Sequence, residues 1–201
     1  MGRSRSPDAD VQPDLLGGGA PAQIHRLFFA LMPGDAVARQ IEGAAAGVMT
    51  AQQLHVRLIR PARYHATLHF LGDHPVLRED IVRAAISAGG KVRGQPFELT
   101  LDSVSAFHGR EPPCVLRCTH VPDALQTLWN HLRQALLLGG LGQHLTRQFT
   151  PHVTFAYSRG AVPSTTPIEP ITWPVEGFCL LHSVIGGGDY RLLDSWRFSA
   201  P

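Results

Sequence analysis

Tyr64-His65-Ala66-Thr67-Leu68-His69-Phe70-Leu71-Gly72 and, further along, Thr150-Pro151-His152-Val153-Thr154-Phe155 are the two stretches around which the chain is organised. In each, a His and a Thr stand two positions apart in a strand-like run. A strand sends alternate side chains to opposite faces, so His65 and Thr67 share one face and Ala66, Leu68 and Phe70 the other. His152 and Thr154 oppose Val153 and Phe155 in the same way. Two strands, each with an apolar back and a His-plus-hydroxyl front, predict a cleft with polar groups on both walls. The same alternation puts His69 on the front face, as a lesser candidate for substrate contact, and Tyr157 on the apolar face as a core residue.

The rest of the 201-residue chain bounds this reading. The length suits one substantial core or two small lobes that share one. A hydrophobic fraction of 44% and a charged fraction of 17% are those of an ordinary globular protein. A net charge of +2 argues against a large non-specific nucleic-acid surface, though not against a local basic site, because nearly all the cations are Arg. Cys114, Cys118 and Cys179 follow no framework spacing and fit buried thiols in a reducing, cytoplasmic setting. No apolar run reaches membrane-spanning length, so no membrane partner is expected.

Taken in order, residues 1–23 carry Pro, Asp, Ser and Gly17-Gly18-Gly19 and read as a disordered tail. Arg26 to Leu31 is a buried strand. Asp35 is a helix N-cap before Val37, Ile41, Ala44, Ala45 and Val48 at helical spacing. A short strand is expected from His55 to Ile59, then the first His-Thr strand, then a helix over Leu77 to Ile86. Strands follow at Phe97 to Ala106 and Cys114 to Cys118. The clearest helix has Leu125, Leu128, Trp129, Leu132, Ala135 and Leu136 on one stripe. After the second His-Thr strand, Pro163 to Pro170 reads as a loop, and two strands close the chain near Val175 to Ile185 and Tyr190 to Phe198. A strand, a helix and a His-Thr strand thus occur twice, which suggests two related lobes.

Two imidazoles facing one small group suit phosphodiester chemistry. With an ordinary pKa near 6.5, one imidazole accepts a proton from the attacking water while the other, protonated, gives one to the leaving oxygen. Thr67 and Thr154 hydroxyls are placed to donate to the non-bridging oxygens. Acids near the motifs are few, Asp73 and Glu79 among them, so no carboxylate cluster for a metal is expected, and no glycine run leads into a phosphate-binding Lys. A third tripeptide, His144-Leu145-Thr146, lies in a Gly-rich connection and is a chance match. A lone strand His is ordinarily structural; the matched pair of contexts is what favours a site.

Those contexts resemble the two signature motifs of the 2H phosphoesterases, and most of all the RNA 2′,3′-cyclic phosphodiesterases historically called 2′–5′ RNA ligases, a LigT-like family. Arg26 to Leu31 and Tyr190 to Trp196 are similar as well, and the resemblance spans residues 24–199. It implies a single α+β domain with a bilobed fold: two antiparallel-sheet lobes with outer helices about a central cleft, related by a pseudo-twofold axis. It also implies metal-independent, cofactor-free hydrolysis of RNA 2′,3′-cyclic phosphate ends to 2′-phosphate, by a monomer. His65 and His152 carry over as catalytic residues and Thr67 and Thr154 as phosphate-binding ones. The analogy makes His65 the acid and His152 the base, roles the residues alone leave open. Family members often have an Arg where this chain has Tyr157, so the expectation is that Arg147 or Arg159 substitutes for it, or that Thr hydroxyls and backbone alone hold the phosphate. Phe28, Phe29, Trp129 and Trp196 read as core rather than as base-stacking platforms. The alternatives are another small cyclic phosphate as substrate, a reversible 2′–5′ ligase, or a non-catalytic protein that binds RNA ends.

Overall fold

A computed structural model describes residues 23–54 and 56–199. The tail expected over residues 1–23 lies outside that range except for its last residue, and the strand expected from His55 begins outside it. Within that stretch Leu58 makes an isolated antiparallel bridge with Ala156, and the Ile59 N–H donates to the Phe155 carbonyl at 2.7 Å.

The alternating runs pair as two four-stranded antiparallel sheets. Strands β1 (His25–Leu31), β2 (Ala66–His74), β7 (Gly177–Val184) and β8 (Arg191–Arg197) lie in the order β2-β1-β7-β8. Strands β3 (Phe97–Ala106), β4 (Pro113–Arg117), β5 (His152–Tyr157) and β6 (Thr166–Val175) lie in the order β5-β4-β3-β6. The helices are α1 (Asp35–Ala51), α2 (Glu79–Gly89) and α3 (Asp123–Leu138). The unit β1-α1-β2 therefore recurs as β4-α3-β5, and each His-Thr strand is the edge of its sheet. This is the bilobed α+β architecture that the resemblance implied.

The helices tie the lobes together. Helix α1 packs against β5 and β6 of the second sheet, whereas α3 packs against β2 of the first and against α2. The stripe Leu125, Leu128, Trp129, Leu132, Ala135 and Leu136 is buried, as its spacing requires. One continuous apolar core results, with Tyr64, Phe29, Phe155 and Trp173 among its largest fully buried side chains.

Two boundaries differ from the sequence expectation. Gly34, not Asp35, occupies the N-cap of α1, and Asp35 sits in the first turn, where its charge favours the helix dipole. The loop expected up to Pro170 becomes strand at Thr166, because Ile171, Trp173 and Val175 alternate into the core. Pro167 and Pro174 fit there because β6 is an edge strand, where a residue without an N–H is tolerated.

The feature that shapes the cleft is an extra residue just after the Thr of each His-Thr strand; β2 carries a second register shift farther on, between its pairings with Phe28 and Arg26. On β2 the register runs Phe29 with His69 and then Ala30 with Thr67, leaving Leu68 unmatched. On β5 it runs Cys114 with Ala156 and then Val115 with Thr154, leaving Phe155 unmatched. A bulge resets the alternation from that point on. Both strands consequently bury two successive residues, Leu68-His69 and Phe155-Ala156, and then turn the next, Phe70 and Tyr157, outward.

His69 is thereby removed from the front face, which corrects its expected role in substrate contact. It is 2% exposed and stacks on Trp129 at 4.9 Å. Its Nε2–H donates to the Trp129 carbonyl at 3.0 Å, and the Trp129 indole N–H donates to the Leu68 carbonyl at 2.9 Å. This reciprocal clasp fastens the bulge to α3. Burial pushes the His69 pKa down to about 4, against the pull of the Trp129 carbonyl. The neutral form is thus favoured in the folded chain, and below pH 6.5 the unfolded chain takes up the proton first. Stability contributed by the clasp should be full above that pH and fall as pH drops toward 4. In denaturant unfolding, His69→Ala should cost about 2–4 kcal/mol at neutral pH. His69→Gln, which keeps a donor and cannot titrate, should lose less stability than wild type between pH 6.5 and 4.

Candidate active site

A short 3₁₀ turn, Pro61–Arg63, delivers the chain to β2 with His65 just ahead of its first residue. The His65 Nδ1–H donates to the Arg63 carbonyl at 2.9 Å, two residues back. In the other lobe the His152 Nδ1–H donates to the Thr150 carbonyl at 2.7 Å, again two residues back. Each anchor fixes the tautomer and leaves Nε2 as the working nitrogen, with no protein partner among the described residues. The packing is matched too: the Tyr190 ring stands edge-on to His65 at 5.1 Å and the Phe107 ring edge-on to His152 at 4.8 Å. Two strands related by the fold's repeat thus present the same nitrogen in the same way.

His65, Thr67, His152 and Thr154 line one cleft of about 610 Å³ between the lobes. The structure brings these four together. It does not bring the other candidates there. Arg159 pairs with Glu111 at 2.8 Å on the outer surface, and exposed Arg147 lies outside the cleft lining, as do His69 and His144. Among the described residues no group of three His, Cys, Asp or Glu side chains is arranged to hold a metal ion.

Tyr157 is the second correction: it is 54% exposed and lines the cleft instead of joining the core. Phe70, 39% exposed, holds the equivalent place on β2. Both stand five residues after their His, and the bulge turned both outward. Phe28 is buried as expected, yet at the floor of the cleft, with its ring 5.0 Å from that of His65 and 5.3 Å from that of Tyr190. Phe29 and Trp129 are core residues, and half-buried Trp196 packs against the core. The cations that do line the cleft are Arg26, Arg57, Arg60 and Arg63, none of which the motif reading singled out. The spacing of the last three ahead of His65 was the available signal.

Burial and charge set the histidines' protonation. Burial pushes His65 down to about 4; the positive fields of His152, Arg63 and Arg26 add to this, and only the Arg63 carbonyl opposes it. Burial lowers His152 as well, opposed by the Thr150 carbonyl and aided by Arg117. Both imidazoles therefore favour the neutral form at neutral pH, each able to accept at Nε2.

Comparison with known proteins places the fold among phosphoesterase structures. A family model described as LigT like Phosphoesterase matches residues 31–116, which include His65 and Thr67 and stop before the second motif. E. coli LigT in its apo form is 27% identical, with a TM-score of 0.71 over 88% of this chain and 99% of that one. Part of the chain thus matches a LigT-like phosphoesterase family, and the chain as a whole is similar in fold to E. coli LigT. E. coli LigT complexed with 3′-AMP aligns at 25% identity and a TM-score of 0.67, over 88% of this chain and 99% of that one. A Thermus thermophilus protein at 23% identity and a TM-score of 0.68, over 87% of this chain and 98% of that one, shares the fold. No curated protein matches the sequence. No helix among the described residues is long and apolar enough to cross a membrane.

The anchors make a spectroscopic prediction. Long-range proton–nitrogen NMR at pH 7 should find both His65 and His152 as Nδ1–H tautomers with unprotonated Nε2. A protonated Nε2 on either neutral ring would show that its carbonyl anchor is not made.

Proposed function

We propose that this chain is a LigT-like phosphoesterase that hydrolyses 2′,3′-cyclic phosphate ends of RNA to 2′-phosphate ends, by acid–base catalysis that needs no metal. The observation that carries the reading is the pair of carbonyl-anchored imidazoles, His65 and His152, whose free Nε2 atoms line one cleft from opposite lobes. One Nε2 takes a proton from water as the water oxygen bonds to phosphorus. The other imidazole, protonated, gives its proton to O3′ as the P–O3′ bond breaks. In-line displacement places nucleophile and leaving group on opposite sides of phosphorus, which is what catalytic groups on facing walls serve. Thr67 and Thr154, one strand repeat on from each His, offer hydroxyls to the non-bridging oxygens. Both proton transfers and the charge are then provided by the chain itself. Both histidines also come from one chain, so a single copy suffices.

The neighbouring family structures add support at the level of ligand class: E. coli LigT is described in complexes with 3′-AMP, ATP and phosphate. An open cleft edged with aromatic rings and arginines suits a nucleotide terminus.

An oligonucleotide ending in a 2′,3′-cyclic phosphate, incubated with the protein in EDTA, should yield the 2′-phosphate by phosphorus NMR. His65→Ala and His152→Ala should each lower the rate by roughly 100- to 10,000-fold. No turnover by wild type, with tight binding unaffected by either substitution, would make the chain an RNA-end binding protein instead. Because both imidazoles are depressed and the reaction requires one of them protonated, the singly protonated form peaks between their two pKa values. The pH profile of kcat/KM should therefore be bell-shaped with its maximum below 6.5; a maximum above pH 7 would contradict the assignment.

A further inference from the structure

The four cleft arginines do not all have charge to spare. Arg26 forms two bonds of 2.8 Å with the Asp73 carboxylate and lies over the Phe70 ring. Arg60 is paired with Asp189 at 2.8 Å. Arg57 is exposed on a stretch outside any named strand. Arg63 differs from all three. Its guanidinium lies 4.7 Å from the Tyr190 ring centroid, and its Nη1 donates to the Gly188 carbonyl at 3.1 Å. No carboxylate among the described residues pairs with it. An aromatic face and one carbonyl orient the planar group while leaving its charge uncompensated and most of its N–H donors unspent.

Arg63 is also tied to the reacting centre through its backbone. Its carbonyl is the acceptor that anchors His65 Nδ1–H, and the Tyr190 hydroxyl lies 3.4 Å from the same nitrogen. Guanidinium, Tyr190 and His65 thus form one packed unit on the cleft wall. The Arg63 field reaches the imidazole, being one of the cations that hold it neutral. A cation so placed neutralises an anion beside His65 and not one elsewhere on the rim.

We propose that Arg63 is a catalytic residue: its guanidinium donates to a non-bridging oxygen of the phosphate that lies between His65 and His152. The ligand is a phosphate ester with at least one unbridged oxygen, and the cation stabilises the charge that the non-bridging oxygens carry during displacement. The catalytic half of this inference rests on the phosphodiesterase reading, whereas the anion-binding half does not. Each is therefore tested separately, in the full-length chain, with Arg63→Gln, Arg63→Lys and, as a control outside the cleft, Arg159→Gln.

Binding of inorganic phosphate is followed by phosphorus NMR titration. Arg63→Gln should weaken it about 10-fold or more, Arg63→Lys less, and Arg159→Gln not at all. With a cyclic-phosphate oligonucleotide, Arg63→Gln should lower kcat about 100-fold, with a smaller change in KM and partial recovery in Arg63→Lys. Loss of the cation beside His65 should also move the lower pKa of the kcat/KM profile upward, a shift that a purely structural role would not produce. Phosphate affinity and kcat within threefold of wild type in Arg63→Gln would overturn the proposal. Should Arg63→Gln fail to fold, Arg63→Lys decides: unchanged phosphate affinity and kcat in that variant would be the overturning result. If Arg63→Gln loses phosphate binding while wild type hydrolyses no cyclic phosphate, the anion site stands and the phosphodiesterase reading falls.

Discussion

The extra residue in each His-Thr strand is the constraint on which the site depends. Up to Thr67 and Thr154 the strands alternate regularly, so His and Thr share the cleft face. Past Leu68 and Phe155 the alternation is reversed, and residues that a regular strand would turn inward, Phe70 and Tyr157, become walls of the cleft. A bulge leaves backbone groups without ladder partners, and each here is secured by something outside its own sheet. On β2 the Leu68 carbonyl receives the Trp129 indole; on β5 the Phe155 carbonyl receives the Ile59 N–H. Both fasteners come from the opposite half of the molecule. The two bulges therefore help to register one lobe against the other as well as shaping a strand.

This arrangement explains why the chain builds a shared core rather than two independent lobes. Helix α1 is sequence-adjacent to β1 and β2 yet lies against β5 and β6, and α3 is adjacent to β4 and β5 yet lies against β2. Each sheet is covered in part by the other half's helix, so neither half buries its apolar face alone. The placement of the two histidines then rests on a shared core, whose dense packing resists deformation. A reaction that needs a proton donor and acceptor on opposite sides of one phosphorus atom benefits from that stiffness.

What could be read in the sequence divides at the bulges. His65, Thr67, His152 and Thr154 precede them, and simple alternation placed them on one cleft. His69 and Tyr157 follow them, and alternation failed for both, because a bulge leaves no compositional mark when Leu-His and Phe-Ala are the residues doubled. Strand β6 was missed because its prolines signal a loop; only pairing at a sheet edge makes them tolerable. Arg60 and Arg63 were hidden for another reason. Their role comes from long-range partners, Asp189, Gly188 and Tyr190, which the fold brings from more than a hundred residues away. Arg147 and Arg159 looked better because they are near the second motif in sequence, yet both lie beyond the ends of β5 and neither lines the cleft.

In the proposed reaction two histidines on facing walls act on one phosphorus in a single in-line step. Its most direct test is stereochemical. A 2′,3′-cyclic phosphorothioate of known configuration, hydrolysed in ¹⁸O-labelled water, records whether phosphorus is attacked once or twice. One displacement between opposed acid and base predicts inversion at phosphorus. Retention would require a covalent intermediate on the protein and would contradict the account.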